Sequence, residues 1–396
     1  MTDAPPWPAG FKCAGVAAGI KKSGGSDLAL LVADGPANAA AVFTRNLIAA
    51  APIGISRRHL ESSSSCIRAI MINSGCANAA TGPAGTARAA ASCDAIARAL
   101  GVASNEVLVN STGVIGVPLP IEKIERAIPG LVAALAGGSC EDFARAIMTT
   151  DTRPKWATRT VGWREAGVDR TCTVTGVAKG AGMIHPNMAT MICVIATDAA
   201  VTARALDLML RRSVDDSFHR ISIDGDTSTN DSVFALASGT AGTAPEGPLS
   251  RAMDEVAREL ALMVVRDGEG FERGIDVTVT GAQTPSHALS VAQTIAMSLL
   301  VRTAVTGGDP NWGRILAAAG RAGVPFDPNA IRVSAGGVPI FERGGPAPAD
   351  ADQVRAAFTA STVSIEIDLG MGTFSDHFHS CGLTTRYVEL NADYTT

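Results

Sequence analysis

"GVAKGAGMIHPNMATMICVIATDA", residues Gly176–Ala199, joins a glycine-rich loop to an apolar run. The second half, "MICVIATD" (Met191–Asp198), is short, nearly continuous in apolar residues and rich in Ile and Val. That is the pattern of a strand buried on both faces. Lys179 precedes Gly180, and no Ser or Thr follows at the spacing of a phosphate loop. A dinucleotide loop would have to open a helix, whereas this loop feeds a strand. Nucleotide binding is therefore not what the glycines serve; they supply the positive φ angles of a turn. The pair Ala189-Thr190 then stands at the mouth of the strand. A threonine hydroxyl is a weak nucleophile unless a base lies beside it. A threonine at a chain start carries such a base, because an α-amine of pKa about 7.7–8.0 is partly neutral near neutral pH. Cutting the Ala189–Thr190 bond would create that amine. The hydroxyl itself can attack the preceding carbonyl, turn amide into ester, and leave the ester to water. On the residues alone, Thr190 reads first as a β-branched residue that starts a strand, and the nucleophile is the second reading.

Outward from this stretch, short apolar strands mix with Ala-rich helices. Strands are expected at Cys66–Gly75, Thr171–Ala178, Met191–Asp198, Ser232–Ser238, Ile275–Gly281, Ile331–Ala335, Thr362–Gly370 and Gly382–Leu390. The last two alternate apolar and polar residues, as strands with one covered face do. Helices are expected at Thr86–Leu100, with Thr86 as N-cap and Gly101 just past its end, and at Thr202–Phe218 and Ser250–Val265. Ser290–Val305 is apolar nearly all round and reads as one buried helix. "ESSSSC" (Glu61–Cys66) and "GGPAPADAD" (Gly344–Asp352) are turn or linker material. Without a strict βαβ rhythm, the mixture points to a layered α+β fold.

The 396 residues suit two or three subdomains, at roughly 100–200 residues each. Apolar residues at 46% against 18% charged supply a large core. A net charge of −5 with only 4% aromatics gives neither the basic stripe nor the stacking surface of a nucleic-acid binder. No basic-then-apolar leader and no bilayer-length apolar window are visible, so a cytosolic protein with no membrane contact is expected. The eight cysteines form no CxxC and are expected reduced and mostly buried. His377 and His379 would share one face of an extended segment, but only Asp376 obviously accompanies them, so no metal is expected. "ISIDGDTSTND" (Ile221–Asp231) misses both the phosphatase and the calcium-loop spacings and reads as a turn with local side-chain bonds.

Several blocks together carry a family resemblance. "KGAGMIHPNMATM" (Lys179–Met191) resembles the self-cleavage segment of the ornithine acetyltransferases of arginine biosynthesis, also called bifunctional glutamate N-acetyltransferases. "NSGCANAATG" (Asn73–Gly82), "NSTGVIG" (Asn110–Gly116), "IMTTDTRPK" (Ile147–Lys155), "DGDTSTND" (Asp224–Asp231), "RDGEG" (Arg266–Gly270), "GGDPNWGRI" (Gly307–Ile315) and "NADYTT" (Asn391–Thr396) agree and keep their order. The resemblance implies an α+β, α/β/β/α sandwich that cleaves itself between Ala189 and Thr190. It yields an α chain of residues 1–189 and a β chain of 190–396, paired as an (αβ)₂ heterotetramer. It also implies a ping-pong reaction: N-acetylornithine acetylates Thr190, ornithine leaves, and glutamate takes the acetyl group as N-acetylglutamate.

By the same resemblance, Thr112 (hydroxyl) and Gly113 (backbone N–H) form the oxyanion hole. Substrate contacts fall on Lys179, Thr190, Glu269, Asn391, Thr396 and one threonine among Thr149, Thr150 and Thr152. A cation or amide suits a substrate carboxylate and an acid suits its amine, which fits Lys179, Asn391 and Glu269. No cofactor is implied. Acetyl-CoA stands as a co-substrate of bifunctional members, which share these motifs with monofunctional ones. The competing readings are an amidase or aminopeptidase using the same threonine with water as acceptor, and a non-catalytic small-molecule binder.

Overall fold

The computed structural model describes residues 4–185 and 191–393. The chain divides into two compact units, one running to His219 and resuming over Asp226–Val264, the other made of Arg220–Gly225 and the residues from Val265 onward.

The first unit holds strands β1 (Phe11–Val16), β2 (Leu28–Phe43), β3 (Cys66–Cys76), β4 (Val107–Val114), β5 (Lys155–Glu165), β6 (Val168–Lys179), β7 (Ile192–Ala199) and β8 (Ser232–Gly242). They form one sheet in the order β4-β3-β2-β8-β7-β6-β5, with β1 paired to β2 off that path. The β3–β4 and β7–β8 pairs are parallel and the others antiparallel. The run Met191–Asp198 is indeed a central strand, and every residue of β7 is buried. A register break in β2 between Val32 and Ala37 interrupts its pairing with β3, which resumes at Ala37 and Asn38, while Asn38–Phe43 pair with β8.

Alternate residues of β2 supply two cores, as the two-residue period of a strand requires. Leu28 and Leu30 join Met71, Val107 and Val109 beneath α1 (Ala51–Ser62), α2 (Gly82–Leu100) and α3 (Ile121–Ala134). Ala29 and Leu31 join Ile70, Ile72 and Phe143 of α4 (Cys140–Ile147) on the opposite face. Each fully buried Leu, Ile or Phe contributes about 1.5–3 kcal/mol by leaving water. Helices α5 (Ala203–Asp215) and α6 (Glu246–Val265) complete the unit. Gly176 of β6 lets Val256 and Leu260 of α6 press on the sheet, since a Cβ there would lie 2.7 Å from both.

The second unit holds β9 (Gly274–Ala282), α7 (Pro285–Ala296), α8 (Leu299–Gly307), α9 (Trp312–Gly320), β10 (Arg332–Ala335), β11 (Val338–Glu342), β12 (Gly345–Pro346), α10 (Ala351–Thr359), β13 (Thr362–Asp368), β14 (Phe374–Cys381) and α11 (Thr385–Asp393). Its sheet runs β12-β11-β10-β13-β9-β14, with β9 and β13 parallel. Ile275, Val277, Ile365 and Ile367 face α7–α10. The alternate residues carry polar groups, with His379 Nδ1 2.7 Å from Asp276 Oδ1 and the His377 and His379 rings 5.0 Å apart. The shared face of the two histidines follows from their spacing. Among the described residues, no three His, Cys, Asp or Glu side chains converge as a metal site would require.

Four expectations need correction. Gly382–Leu390 is not a strand: the Thr384 hydroxyl accepts the Tyr387 N–H at 3.2 Å and so caps α11. Capping outweighs the alternating pattern there, because α11 buries no residue that could enforce a strand face. Ser290–Val305 is not one helix; α7 ends at Ala296 and α8 starts after the Ser298 N-cap, bent by 56°. The bend lets α7 lie in the core while Leu299 and Leu300 remain exposed. Helix α2 begins at Gly82 and not after Thr86, with a proline in its first turn, where the lost N–H costs nothing. Its expected end holds: Gly101 is left-handed at φ 68°. α6 likewise begins earlier than expected, at Glu246. No single described helix is long and apolar enough to cross a membrane; α7 and α8 reach that composition only as the bent pair. All eight cysteines are free and seven are buried.

Candidate active site

Thr112 and Gly113 lie near the end of β4, opposite Ser74 and Gly75 of β3. Gly113 has φ 129°, and a Cβ would stand 2.4 Å from the Gly75 carbonyl carbon. Only glycine allows that approach. Replacing Gly113 with alanine should therefore cost about 1–3 kcal/mol from backbone strain, and more from the clash. Urea unfolding checks it; an unchanged midpoint would show that β3 yields freely.

Lys179 ends β6, and its side chain is buried. The ammonium donates to Thr149 Oγ1 at 2.7 Å and to Thr112 Oγ1 at 3.3 Å. Strands β4 and β6 are far apart in the sheet order, yet their ends meet. A buried amide ties the end of β4 to the segment before β8: Asn230 Nδ2 donates to the carbonyls of Ala77 and Ser111, each at 2.7 Å. Asn110 Nδ2 returns a bond to Ser232 Oγ at 2.8 Å. The "DGDTSTND" segment does bond locally, as expected, with Thr229 Oγ1 donating to Asn230 Oδ1 at 2.6 Å and the Asn230 N–H to Ser228 Oγ at 3.1 Å; Asn230 also braces β4 across more than a hundred residues of sequence. Of the three threonines left open in "TTDT", Thr149 is the one that meets Lys179.

Sequence reading passed over three ionisable residues here. Asp151 is buried, with Lys155 Nζ 2.6 Å from Oδ1 and Lys179 Nζ 4.0 Å from Oδ2. It also accepts the N–H of Gly180 at 2.6 Å and of Thr149 at 3.0 Å. Burial alone would raise its pKa, but the two ammonium charges and these donors prevail and hold it at about 2. Asp151 thus ties the threonine turn to the glycine loop. Lys155 brings the second charge, buried at the start of β5. Asp231 is fully buried just before β8. Its Oδ1 accepts the N–H of Met191 at 3.1 Å. Burial pushes this carboxyl well above its ordinary range, against the pull of that N–H, of the Lys179 charge and of the nearby Ser228 N–H. An acid inside "TTDTRPK", and another immediately before a buried strand, were the signals available. Lys21 adds a further cation within electrostatic reach. Burial lowers its pKa and so does Lys179, while Asp27 and Asp151 act the other way.

In the second unit, Asn391 Nδ2 donates to Glu269 Oε2 at 2.8 Å. Glu269 and Asn391, expected as substrate contacts from distant blocks, are therefore neighbours. Ala189, Thr190 and Thr396 lie outside the described residues. Thr152 has partners of its own.

A buried ammonium between two threonine hydroxyls suits acyl transfer involving a carboxylate-bearing substrate. The molecule is of the mixed α+β class with an acyl-transfer type of site. The chain belongs to the ArgJ family, whose model matches residues 12–396. It is 46% identical to the arginine biosynthesis bifunctional protein ArgJ of Thermosynechococcus vestitus, covering 98% of this chain and 96% of that protein. It is 45% identical to the protein of the same name from Nitratidesulfovibrio vulgaris, over 98% of each. Among solved structures, ornithine acetyltransferase of Mycobacterium tuberculosis in complex with ornithine is 42% identical. The match covers 45% of this chain and 92% of that one, with a TM-score of 0.38. The α+β class expected from the sequence is the one that each unit shows, a mixed sheet with helices packed on it.

Proposed function

We propose that the chain is a glutamate N-acetyltransferase working by a ping-pong route through an acetyl-threonine. N2-acetylornithine binds first. Thr190 Oγ attacks the acetyl carbonyl while its α-amine takes the hydroxyl proton, and the tetrahedral oxyanion is met by Thr112 and the Gly113 N–H. The C–N bond breaks, the proton passes to the departing nitrogen, and ornithine leaves. Glutamate then attacks the ester and carries the acetyl group away. The observation that carries the reading is the buried Lys179 ammonium between the Thr112 and Thr149 hydroxyls. Glu269 and Asn391 offer an acid and an amide for the amino-acid end of the substrates. Acetyl-CoA serves as a second acetyl donor, and the enzyme needs no metal or bound cofactor.

The active form is the self-cleaved pair of chains, 1–189 and 190–396, assembled as (αβ)₂ in the cytoplasm. Sheet topology supports a pair that stays together after cleavage. Strands β7 and β8 from the second chain sit between β2 and β6 of the first. Separating the chains would break two antiparallel ladders inside a buried sheet. Purified protein should run as two fragments on a denaturing gel and as one species on a sizing column. Offered N-acetylornithine with glutamate, it should form N-acetylglutamate much faster than free acetate; the acetyl-CoA arm runs beside it. Acetate as the dominant product would overturn the transferase in favour of an amidase.

A further inference from the structure

Asp231 is a fully buried carboxyl of the first unit that the reaction above leaves without a task. One oxygen, Oδ1, accepts the N–H of Met191 at 3.1 Å. The other, Oδ2, is buried and has no hydrogen-bond partner among the described residues. Native proteins satisfy nearly all such atoms, so an orphan of this kind asks for a missing donor. The residue itself is tightly fixed. Its backbone carbonyl accepts the Thr44 N–H at 2.9 Å, and it is flanked by the buried Asn230 brace and by β8. The Met191 N–H that it holds belongs to the peptide bond whose carbonyl is that of Thr190. Thr190 lies outside the described residues, but it is the residue bonded directly to the Met191 nitrogen that Asp231 holds.

We propose that Asp231 is the positioning residue of the nucleophile: Oδ1 fixes the peptide after Thr190, and Oδ2 accepts an N–H of the amine that cleavage creates. The inference rests on Thr190 being the nucleophile. An amine with one N–H so engaged has its lone pair turned in a set direction, which is what a base one bond from its own hydroxyl needs. When the amine takes the Oγ proton, the ammonium stays bonded to the carboxyl. It gives the proton to the departing nitrogen as the C–N bond breaks, and Asp231 ends in the state in which it began. The same grip acts earlier, by fixing the backbone on one side of the scissile bond. Burial favours the neutral form of the carboxyl until a donor arrives, which is consistent with a group whose partner is made only by cleavage.

The test uses the full chain with D231N and D231E beside the wild type. Cleavage is followed on denaturing gels, transfer rates are normalised to cleaved chain, and thermal midpoints are measured. D231N keeps an acceptor for the Met191 N–H but puts an NH₂ where Oδ2 was. It should cleave more slowly, and its cleaved fraction should show kcat lower by about 100-fold with KM nearly unchanged. D231E, which restores the acid at the wrong reach, should recover part of that loss. Wild-type kcat in cleaved D231N would overturn the proposal. So would a fall of kcat, KM and thermal midpoint together in both variants, which marks a structural brace. Trapping acetyl-Thr190 in the wild type separates the two levels. If no adduct forms, the nucleophile assignment fails; if it forms and D231N is unaffected, only the role of Asp231 fails.

Discussion

Thr190→Ala should leave one uncleaved chain of 40.4 kDa and remove acetyl transfer. Both losses have one cause, because the same hydroxyl opens the Ala189–Thr190 bond and later takes the acetyl group. Without cleavage the α-amine remains an amide nitrogen and cannot act as a base. Removing the nucleophile from a unit of this kind costs on the order of 10⁶ in kcat. Thr190→Ser keeps a hydroxyl and an amine, and should cleave and transfer at reduced rates. The fold should survive the alanine change, since the buried strand begins after this position, at Ile192. Mass spectrometry of the purified variant and the N-acetylornithine-to-glutamate assay read the two losses separately. A T190A chain that is still cut, or that transfers within tenfold of wild type, would place the nucleophile elsewhere.

How far the sequence could be read depended on whether the deciding force was local. Strand β7 was legible because burial on both faces writes itself as a continuous apolar run. The Gly101 helix end was legible because capping is local. Gly382–Leu390 misled for the same reason reversed: its alternation is real, but a single capping hydroxyl at Thr384 sets the conformation. The break at Ser298 could not be seen, since it depends on what α7 and α8 pack against. At the site, the resemblance supplied Thr112, Gly113 and Lys179, and the choice of Thr149 needed the meeting of β4 and β6. Asp151 and Asp231 stood in the quoted blocks throughout. Nothing in one sequence distinguishes a buried acid from one in a solvated turn when every partner is distant or backbone.

Asp151→Ala should be among the most destabilising single changes in the first unit. It would leave Lys155 and Lys179 buried side by side without their shared counter-charge. Breaking a buried pair by deleting one partner costs about 3–5 kcal/mol. It would also free the Gly180 N–H and the Thr149 N–H, and with them the position of Lys179. Lys155→Met in the same chain should recover part of the loss, because it removes one of the stranded charges; full additivity of the two changes would deny the coupling. The wild type carries a matching acid signature. Asp151 is held at about 2 against an ordinary 3.8, so its folded pKa is depressed. Its contribution is whole above the ordinary value and is lost as the pH falls from about 4 through about 2. Asp151→Asn should be less stable than wild type at neutral pH and lose less on acidification. If its unfolding midpoint fell with pH as steeply as that of the wild type across this window, another carboxylate would be responsible for the acid transition.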